Sequence, residues 1–518
     1  MNKPSLLGIG WRLSIIFAGL TLCHQARAVT FSVTPTAVSN TYGGTITLQV
    51  TGLTAGDTVV VQKFVDANTN GVIDGADIMI QQFSLTDGQA TVIGGVTNFN
   101  VPGDTDGTAG QITAGLNLQN DFSQATVGKY LFKLSSPAGH FTSITNSFTV
   151  TNYPYGQQFS GNVVNNGTNV PNAVVILFQP SNGGGNNPVA AAVANNSGAY
   201  TVKAPPGAYT VGAFKSNYVG DLGAAASITL NAGATVTTNI VVTNATQSIS
   251  GKIVDASNSS IGLAGLLIPL SSTNNLLMVA FSDTNGNFTA RVVPNKWKVQ
   301  ANGQGLNTYG YLRPQNNLKV DTSTGSVSGV TLALPKATAL FYGNITDGLG
   351  NPLAHVQFSS SDQSTYLYGD DSVYSDQNGN YFATALAGTW SINVSSDGNP
   401  GFTNYIFSGG TQTTLNAGQA FQYNFTAILA TNHITGRVQD SNGISITNVQ
   451  VFANANLNGT NYQTQANTDG GGNYSLNVPN GVWNVSVYCC CNNNSLDQVL
   501  GSGNYQCPNS QNAVINNN

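Results

Sequence analysis

GNITDGLGNPLAHVQF at residues 343–358, SDQNGNYFA at 375–383 and AGTWSINV at 387–394 decide the fold of this chain. PLAHVQF carries an apolar residue at every second place, the period of a strand that buries one face and leaves the other wet. Asn378-Gly379 is a tight-turn signal before the aromatic Tyr381. The order is strand, turn, strand, hairpin, strand, which is the pattern of an antiparallel sandwich.

The same signals recur three more times. A glycine-bearing strand reads FSGNVV at Gly161, ISGKIVD at Gly251, FYGNITD at Gly343 and ITGRVQD at Gly436, spaced by 90, 92 and 93 residues. A turn before an aromatic reads NNSGAYTV at Gly198, DTNGNFTA at Gly286, DQNGNYFA at Gly379 and DGGGNYSL at Gly472. A second turn leads into PPGAYTV, VPNKWKV, LAGTWSINV and VPNGVWNVSV, which place Tyr209, Trp297, Trp390 and Trp483 at one repeat position. A fixed period of this length marks tandem structural units.

Composition agrees. Of 518 residues, 16 are Lys or Arg and 21 are Asp or Glu, so only 7% are charged, against roughly 25% in an average soluble domain. About one residue in eight is Asn and 59 are Gly, which favours turns and strands over helices and excludes a helical bundle. A hydrophobic fraction of 41% is too high for disorder.

The repeats resemble the carboxypeptidase regulatory-like domain, a prealbumin-like (transthyretin-like) sandwich found beside zinc carboxypeptidases and in many secreted bacterial proteins. The marks are the opening G-x-V-x-D…G-x-P-L-x-x-A-x-V, the turn D-x-x-G-x-Y/F and the close P-x-G-x-Y/W-x-V, best kept in the third repeat. The first repeat departs most, with Asn165 after its opening strand and NNSG in place of the acidic turn. The resemblance implies a non-catalytic module used for support or for carbohydrate-like and protein ligands. The expected fold is all-β: an immunoglobulin-like sandwich at 29–152, then prealbumin-like repeats at 153–246, 247–338, 339–430 and 431–518. The first three repeats finish with a strand after their aromatic strand, in ASITLNAGATVTTNIVVT, GSVSGVTLALP and GGTQTTLNAGQAFQYNFTAIL. The fourth reaches QNAVINNN, so it is expected to lack its last strand and to be either a fragment or completed by another chain, since an unpaired edge invites association.

Residues 1–28 read as a signal peptide: Lys3 and Arg12 precede a nearly continuous apolar run at Leu13–Leu22, and Ala26-Arg27-Ala28 offers a cleavage site. That run is too short for a membrane span, and Leu22 before Cys23 argues against a lipoprotein signal. Removing Lys3, Arg12 and Arg27 leaves 13 basic against 21 acidic residues, a net charge of −8, which makes nucleic acid and anionic membranes poor partners. A secreted protein, extracellular or on the cell surface, is expected. Its four remaining cysteines, Cys489, Cys490, Cys491 and Cys507, are disulfide candidates in an oxidising compartment, with Cys507 bonded to one of the triplet. A thiolate metal site is the alternative, disfavoured because structural zinc prefers two spaced pairs.

The one constellation with metal chemistry is DANTNGVIDGAD in the first domain. Asp66, Asn68, Asn70, Val72, Asp74 and Asp77 occupy places 1, 3, 5, 7, 9 and 12 of a calcium loop, with Gly71 at the sharp turn. The loop resembles those of EF-hands and dockerins, but Asp77 replaces the long bidentate Glu and its flanks are strand-like. The plainer alternative is an Asn/Gly hairpin turn with solvated carboxylates. A structural calcium ion is the expected cofactor.

Catalytic signals are absent from the sequence. The histidines after the leader, His140, His355 and His433, belong to no zinc-protease pattern, and neither a G-x-S-x-G elbow nor a phosphate loop occurs. The repeated aromatics Trp297, Trp390 and Trp483 have two readings, as plugs of the sandwich cores or as sugar-stacking platforms. If they are buried, a glycan site lies elsewhere, for example on Tyr366, Tyr368 and Tyr374. The sequence thus points to a secreted, non-enzymatic rod of five sandwiches for extracellular adhesion or scaffolding, with carbohydrate as the expected ligand class. The alternative is an accessory part of a larger secreted hydrolase.

Overall fold

The computed structural model describes residues 28–118, 123–180, 186–301, 303–395, 402–489 and 495–516. It is all-β. The first domain packs a three-stranded sheet, ordered Thr30–Thr34, Thr45–Thr51 and Gln111–Asn117, on a five-stranded sheet ordered Ala37–Ser39, Ile144–Thr151, Gly128–Ser135, Thr58–Val65 and Ile78–Thr86. Period-two alternation turns Val59, Val61, Lys63 and Val65 to the inside of the Thr58–Val65 strand. Lys63 is completely buried: its ammonium lies 4.5 Å from the Tyr130 ring centre, near Phe132 and Phe148, and donates to Gln124 Oε1 at 2.8 Å. Ring faces and an amide oxygen replace the water that the charge gives up.

Each of the first three repeats follows one plan. Its glycine-bearing opening strand lies between an antiparallel neighbour, formed by the D-x-x-G-x-Y/F segment, and a closing strand that runs parallel to it. In the first repeat, Gln158–Asn165 pairs with Ala199–Lys203 and, in parallel, with Thr235–Thr237 and Ile240–Asn244. In the second, Gln247–Asp255 pairs with Asn287–Val292 and, in parallel, with Val327–Leu334. In the third, Ala339–Asp347 pairs with Asn380–Ala385 and, in parallel, with Ala420–Gln422 and Phe425–Leu429. The facing sheet carries the Tyr/Trp strand, for example Tyr368–Tyr374, Gln357–Asp362, Gly388–Val394 and Thr411–Leu415 in order in the third repeat. Separate apolar clusters fill the first domain and the four repeats, the last including Ile434, Val451, Leu476 and Trp483.

The opening glycine has a steric cause. A Cβ on Gly161, Gly251 or Gly343 would overlap the carbonyl oxygen of Thr238, Val330 or Tyr423, where the closing segment crosses the strand. The tyrosine of the neighbouring strand donates to that oxygen in two repeats, Tyr200 to Thr238 at 2.8 Å and Tyr381 to Tyr423 at 2.7 Å. In the second repeat Phe288 stands at that place.

Among the described residues, the fourth repeat keeps the plan except for the closing strand. Its facing sheet is complete, in the order Thr460–Asn467, Gln450–Leu457, Gly481–Val487 and Gln511–Ile515. Its opening strand Asn432–Arg437 pairs with Asn473–Val478 alone among the described residues.

The expected extended rod does not describe the first four sandwiches. Tyr218–Asp221 pairs with Ile240–Asn244 of the first repeat and with Leu276–Phe281 of the second, so one ten-stranded sheet runs through both. The first domain also lies against the repeats: Asn196 donates to the Asn68 carbonyl at 3.1 Å, Tyr309 Oη accepts from the Gln82 N–H at 3.3 Å, and Phe99 meets Phe382 edge-on at 5.4 Å. Apolar side chains at the sandwich surfaces, Val193 and Phe281 among them, gain by packing against the first core.

Candidate functional site

The acidic loop connects the antiparallel strands Thr58–Val65 and Ile78–Thr86 at one end of the first sandwich. Asp66, 3% exposed, leaves the core strand with both carboxylate oxygens turned into the loop, where they accept the N–H groups of Asn70 and Gly71, each at 3.0 Å. Gly71 takes the left-handed backbone that this turn requires, with φ 77°. Asp74 accepts the side-chain amides of Asn68 at 3.0 Å and Asn70 at 2.8 Å, together with the Ala76 N–H at 2.7 Å. Asp77 accepts the N–H groups of Ala67 at 3.1 Å and Asp74 at 3.0 Å. Val72 is exposed.

These bonds set the electrostatics. The Ala76 N–H, with the amides of Asn68 and Asn70, holds the Asp74 carboxyl below its ordinary range. Burial pushes Asp77 up, and the charges of Asp74 and Asp66 add to that rise. The donor set, three carboxylates with amide and backbone oxygens, is the chemistry of a hard cation. The arrangement is nonetheless closed by its own hydrogen bonds: among the described residues no three His, Cys, Asp or Glu side chains stand close enough together to hold a metal ion. For a cation to enter, Asn68 and Asn70 have to turn their amide oxygens inward in place of the nitrogens that now face Asp74. Beside the loop, a shallow groove between the first domain and the first repeat is lined by Asp66, Thr69, Lys129, Asn152 and Asn195.

The tryptophans do not form a ligand platform. Trp297, Trp390 and Trp483 are at most 1% exposed, each facing inward from an alternating strand onto its sandwich core. The indole N–H of Trp297 donates to the Val293 carbonyl at 3.1 Å and that of Trp483 to the Pro479 carbonyl at 3.2 Å, so the polar atom of each is satisfied locally. Of their two readings, the sugar-stacking, ligand-binding one is therefore corrected: the three are core plugs. Tyr209 plugs the first repeat in the same way, with its hydroxyl on the Pro205 carbonyl at 2.8 Å. Of the tyrosines named as alternatives, Tyr366 is 68% exposed, while Tyr368 and Tyr374 are half-buried.

The histidines are scattered. His140 Nδ1 meets Asp57 at 3.0 Å on the surface of the first domain, His355 is half-buried opposite Gly43, and His433 is exposed on the opening strand of the fourth repeat. Burial lowers the His355 pKa. Cys489 and Cys507 are not bonded to each other; the Cys507 Sγ lies 3.7 Å from the Cys489 carbonyl oxygen. Cys490, Cys491 and the expected signal peptide through Arg27 lie outside the described residues. No described helix is long and apolar enough to cross a membrane.

No protein-family model and no curated protein matches the chain. Among solved structures it is similar to the Bacillus anthracis TIE protein, with 11% identity over 77% of this chain and 74% of that one and a TM-score of 0.18. It is also similar to a streptococcal ancillary pilin, with 10% identity over 52% and 96% and a TM-score of 0.19. A third is the major pilin subunit of Bacillus cereus, with 11% identity over 53% and 99% and a TM-score of 0.14.

Proposed function

We propose that the chain is a secreted, non-catalytic scaffold that works outside the cell through surface contacts. The observation that carries the reading is the use of the repeated aromatics: every one of Tyr209, Trp297, Trp390 and Trp483 builds a core, so what recurs along the chain is a module and not a site. The low charge and the Asn/Gly turns fit modules that present hydrogen-bonding amide surface to a neutral polymer. The carboxypeptidase regulatory-like assignment belongs to this proposal and is supported by the repeat motifs and the strand plan. The accessory-to-a-hydrolase alternative has no observation in its favour.

The finer parts of the proposal are a carbohydrate ligand and a calcium ion in the Asp66–Asp77 loop. Tyr366, exposed at a turn of the third repeat, is the ring on which a sugar face can stack. The test is a glycan array and polysaccharide pull-down on residues 29–518, with calcium and with a chelator. Binding that falls with Tyr366→Ala supports adhesion to carbohydrate, and binding lost only with chelator brings the acidic loop into it. No binding in either condition refutes the carbohydrate part and leaves a passive scaffold.

A further inference from the structure

Two residues before the strands Val174–Pro180, Leu267–Ser272, Gln357–Asp362 and Gln450–Leu457, every repeat has a residue with left-handed backbone: Asn172, Gly265, His355 and Asn448, with φ 58°, 71°, 65° and 58°. Each N–H is held by a carbonyl of its own repeat, that of His355 by Ser375 at 3.0 Å. Gly and Asn adopt this backbone most readily, and only in the third repeat does the place carry an ionisable ring. Two of these turns meet the first domain. Gly265 lies against the backbone of Gln81 and Gln82, where a Cβ would overlap the Gln82 nitrogen. The His355 ring lies on Gly43, where a Cβ would overlap its Nε2 and Cε1. At each contact one partner is thus a glycine. On the His355 ring, Nδ1 is buried and has no hydrogen-bond partner among the described residues.

We propose that His355 is an acid-sensitive latch between the third repeat and the first domain: the neutral ring seats on Gly43, and protonation of the ring loosens that seat. An imidazolium is a donor at both nitrogens and needs an acceptor at each, and the site gives Nδ1 none. Burial lowers the His355 pKa in agreement. The titratable groups next to the contact are Tyr42 beside Gly43, Tyr374 beside Ser375, and Asp347 and Asp376 in the flanking turns. Burial pushes Tyr374 up to about 12, and phenols do not change charge between about pH 5 and 8. The two carboxylates are turned into their own turns, where they accept the N–H groups of Asn351 and Asn380 at 2.9 and 2.8 Å. Other contacts between the same two units, Phe99 edge-on to Phe382 and the Asn100 amide on the Phe382 carbonyl, are neutral. The pH response of this contact therefore belongs to His355. Because the ring binds its proton less tightly when seated, docking is complete above about pH 6.5, the ordinary value of the ring in water, and weakens below it by at most about tenfold per pH unit. The inference stands on the contact between the two units and does not depend on the scaffold reading.

The test is amide hydrogen exchange of the full chain at pH 7.5 and pH 5.5, with each rate divided by the intrinsic rate at that pH. Protection of residues 40–44 and 98–101, the first-domain segments against the third repeat, should fall on acidification by several-fold and at most about tenfold. His355→Asn places in the third repeat the residue that the first and fourth use, so it keeps the turn, and it should remove that fall. By imidazole NMR, His355 should titrate below about 6.5, and Gly43→Ala, which denies the ring its seat, should bring it back to that value. Tryptophan emission should stay constant over the same range; a change would mean that the repeats themselves open and would overturn the inference. Protection independent of pH, an equal fall in His355→Asn, or a fall removed by His140→Asn, whose ring pairs with Asp57 on the first domain, would each overturn it as well.

Discussion

Gly343→Ala should unfold the third repeat far more readily than Gly436→Ala unfolds the fourth, although the two glycines occupy the same place in the same motif. The new methyl at residue 343 would overlap the carbonyl oxygen and carbon of Tyr423, which are backbone atoms that move only if the whole crossing between Ala420–Gln422 and Phe425–Leu429 moves. Overpacking of this kind costs about 1–3 kcal/mol. Displacing the carbonyl also breaks its bond from Tyr381, worth about 1 kcal/mol. A loss of about 3 kcal/mol lowers the melting temperature of a unit this size by about 12–24 °C. At residue 436 the three atoms nearest the new methyl all belong to the outer ring of Tyr474, a half-exposed side chain able to turn away, so the cost should stay below about 1 kcal/mol. Gly343 and Gly436 lie outside the positive-φ region, so the difference is steric and not a matter of backbone conformation. The assay is chemical denaturation of both variants, followed by proteolysis at increasing denaturant to identify which repeat opens. Equal losses in the two variants, or a neutral Gly343→Ala, would refute the reasoning.

Three further outcomes are expected. Trp390→Ala should destabilise the third repeat by about 3–5 kcal/mol, because it empties a fully buried site, and denaturation read by fluorescence checks it. Calcium titration of the full chain should raise its melting temperature, and Asp66→Asn with Asp74→Asn should remove that rise; no shift in the native chain means that the loop is a self-satisfied turn. Asn351 holds the Asp347 carboxyl, and Asn473 the Asp469 carboxyl, below the ordinary range. A depressed folded value means that their stabilisation is present above the unfolded value of about 3.9 and is lost as pH falls below it. Midpoints compared at pH 7 and pH 3 should fall on the acid side, and by less in Asn351→Ala and Asn473→Ala variants.

The sandwiches were legible because their information is local. Alternation in TVVVQKFV marks the strand Thr58–Val65, and Asn-Gly turns and the repeated Gly, Tyr and Trp mark the modules. Other features depend on what the chain meets at long range. Lys63 looks like a surface residue in sequence, and only the arrangement of Tyr130, Phe132, Phe148 and Gln124 around it makes its burial tolerable. The packing of Phe99 on Phe382, which removes the rod, leaves no period or motif in either segment. The calcium spacing was readable, but the partners chosen by its carboxylates were not, because backbone N–H groups that carry no sequence signature take up Asp66. For the tryptophans, the repeat position gave the place and not the exposure; alternation within each strand turns them inward.

The most direct measurement is amide hydrogen exchange on the intact chain, comparing the four opening strands Gln158–Asn165, Gln247–Asp255, Ala339–Asp347 and Asn432–Arg437. The first three, paired on both sides, should exchange only through opening of their repeats, while the amides of the fourth that face away from Asn473–Val478 should exchange faster by orders of magnitude. Protection of the fourth strand equal to that of the others would contradict the open edge.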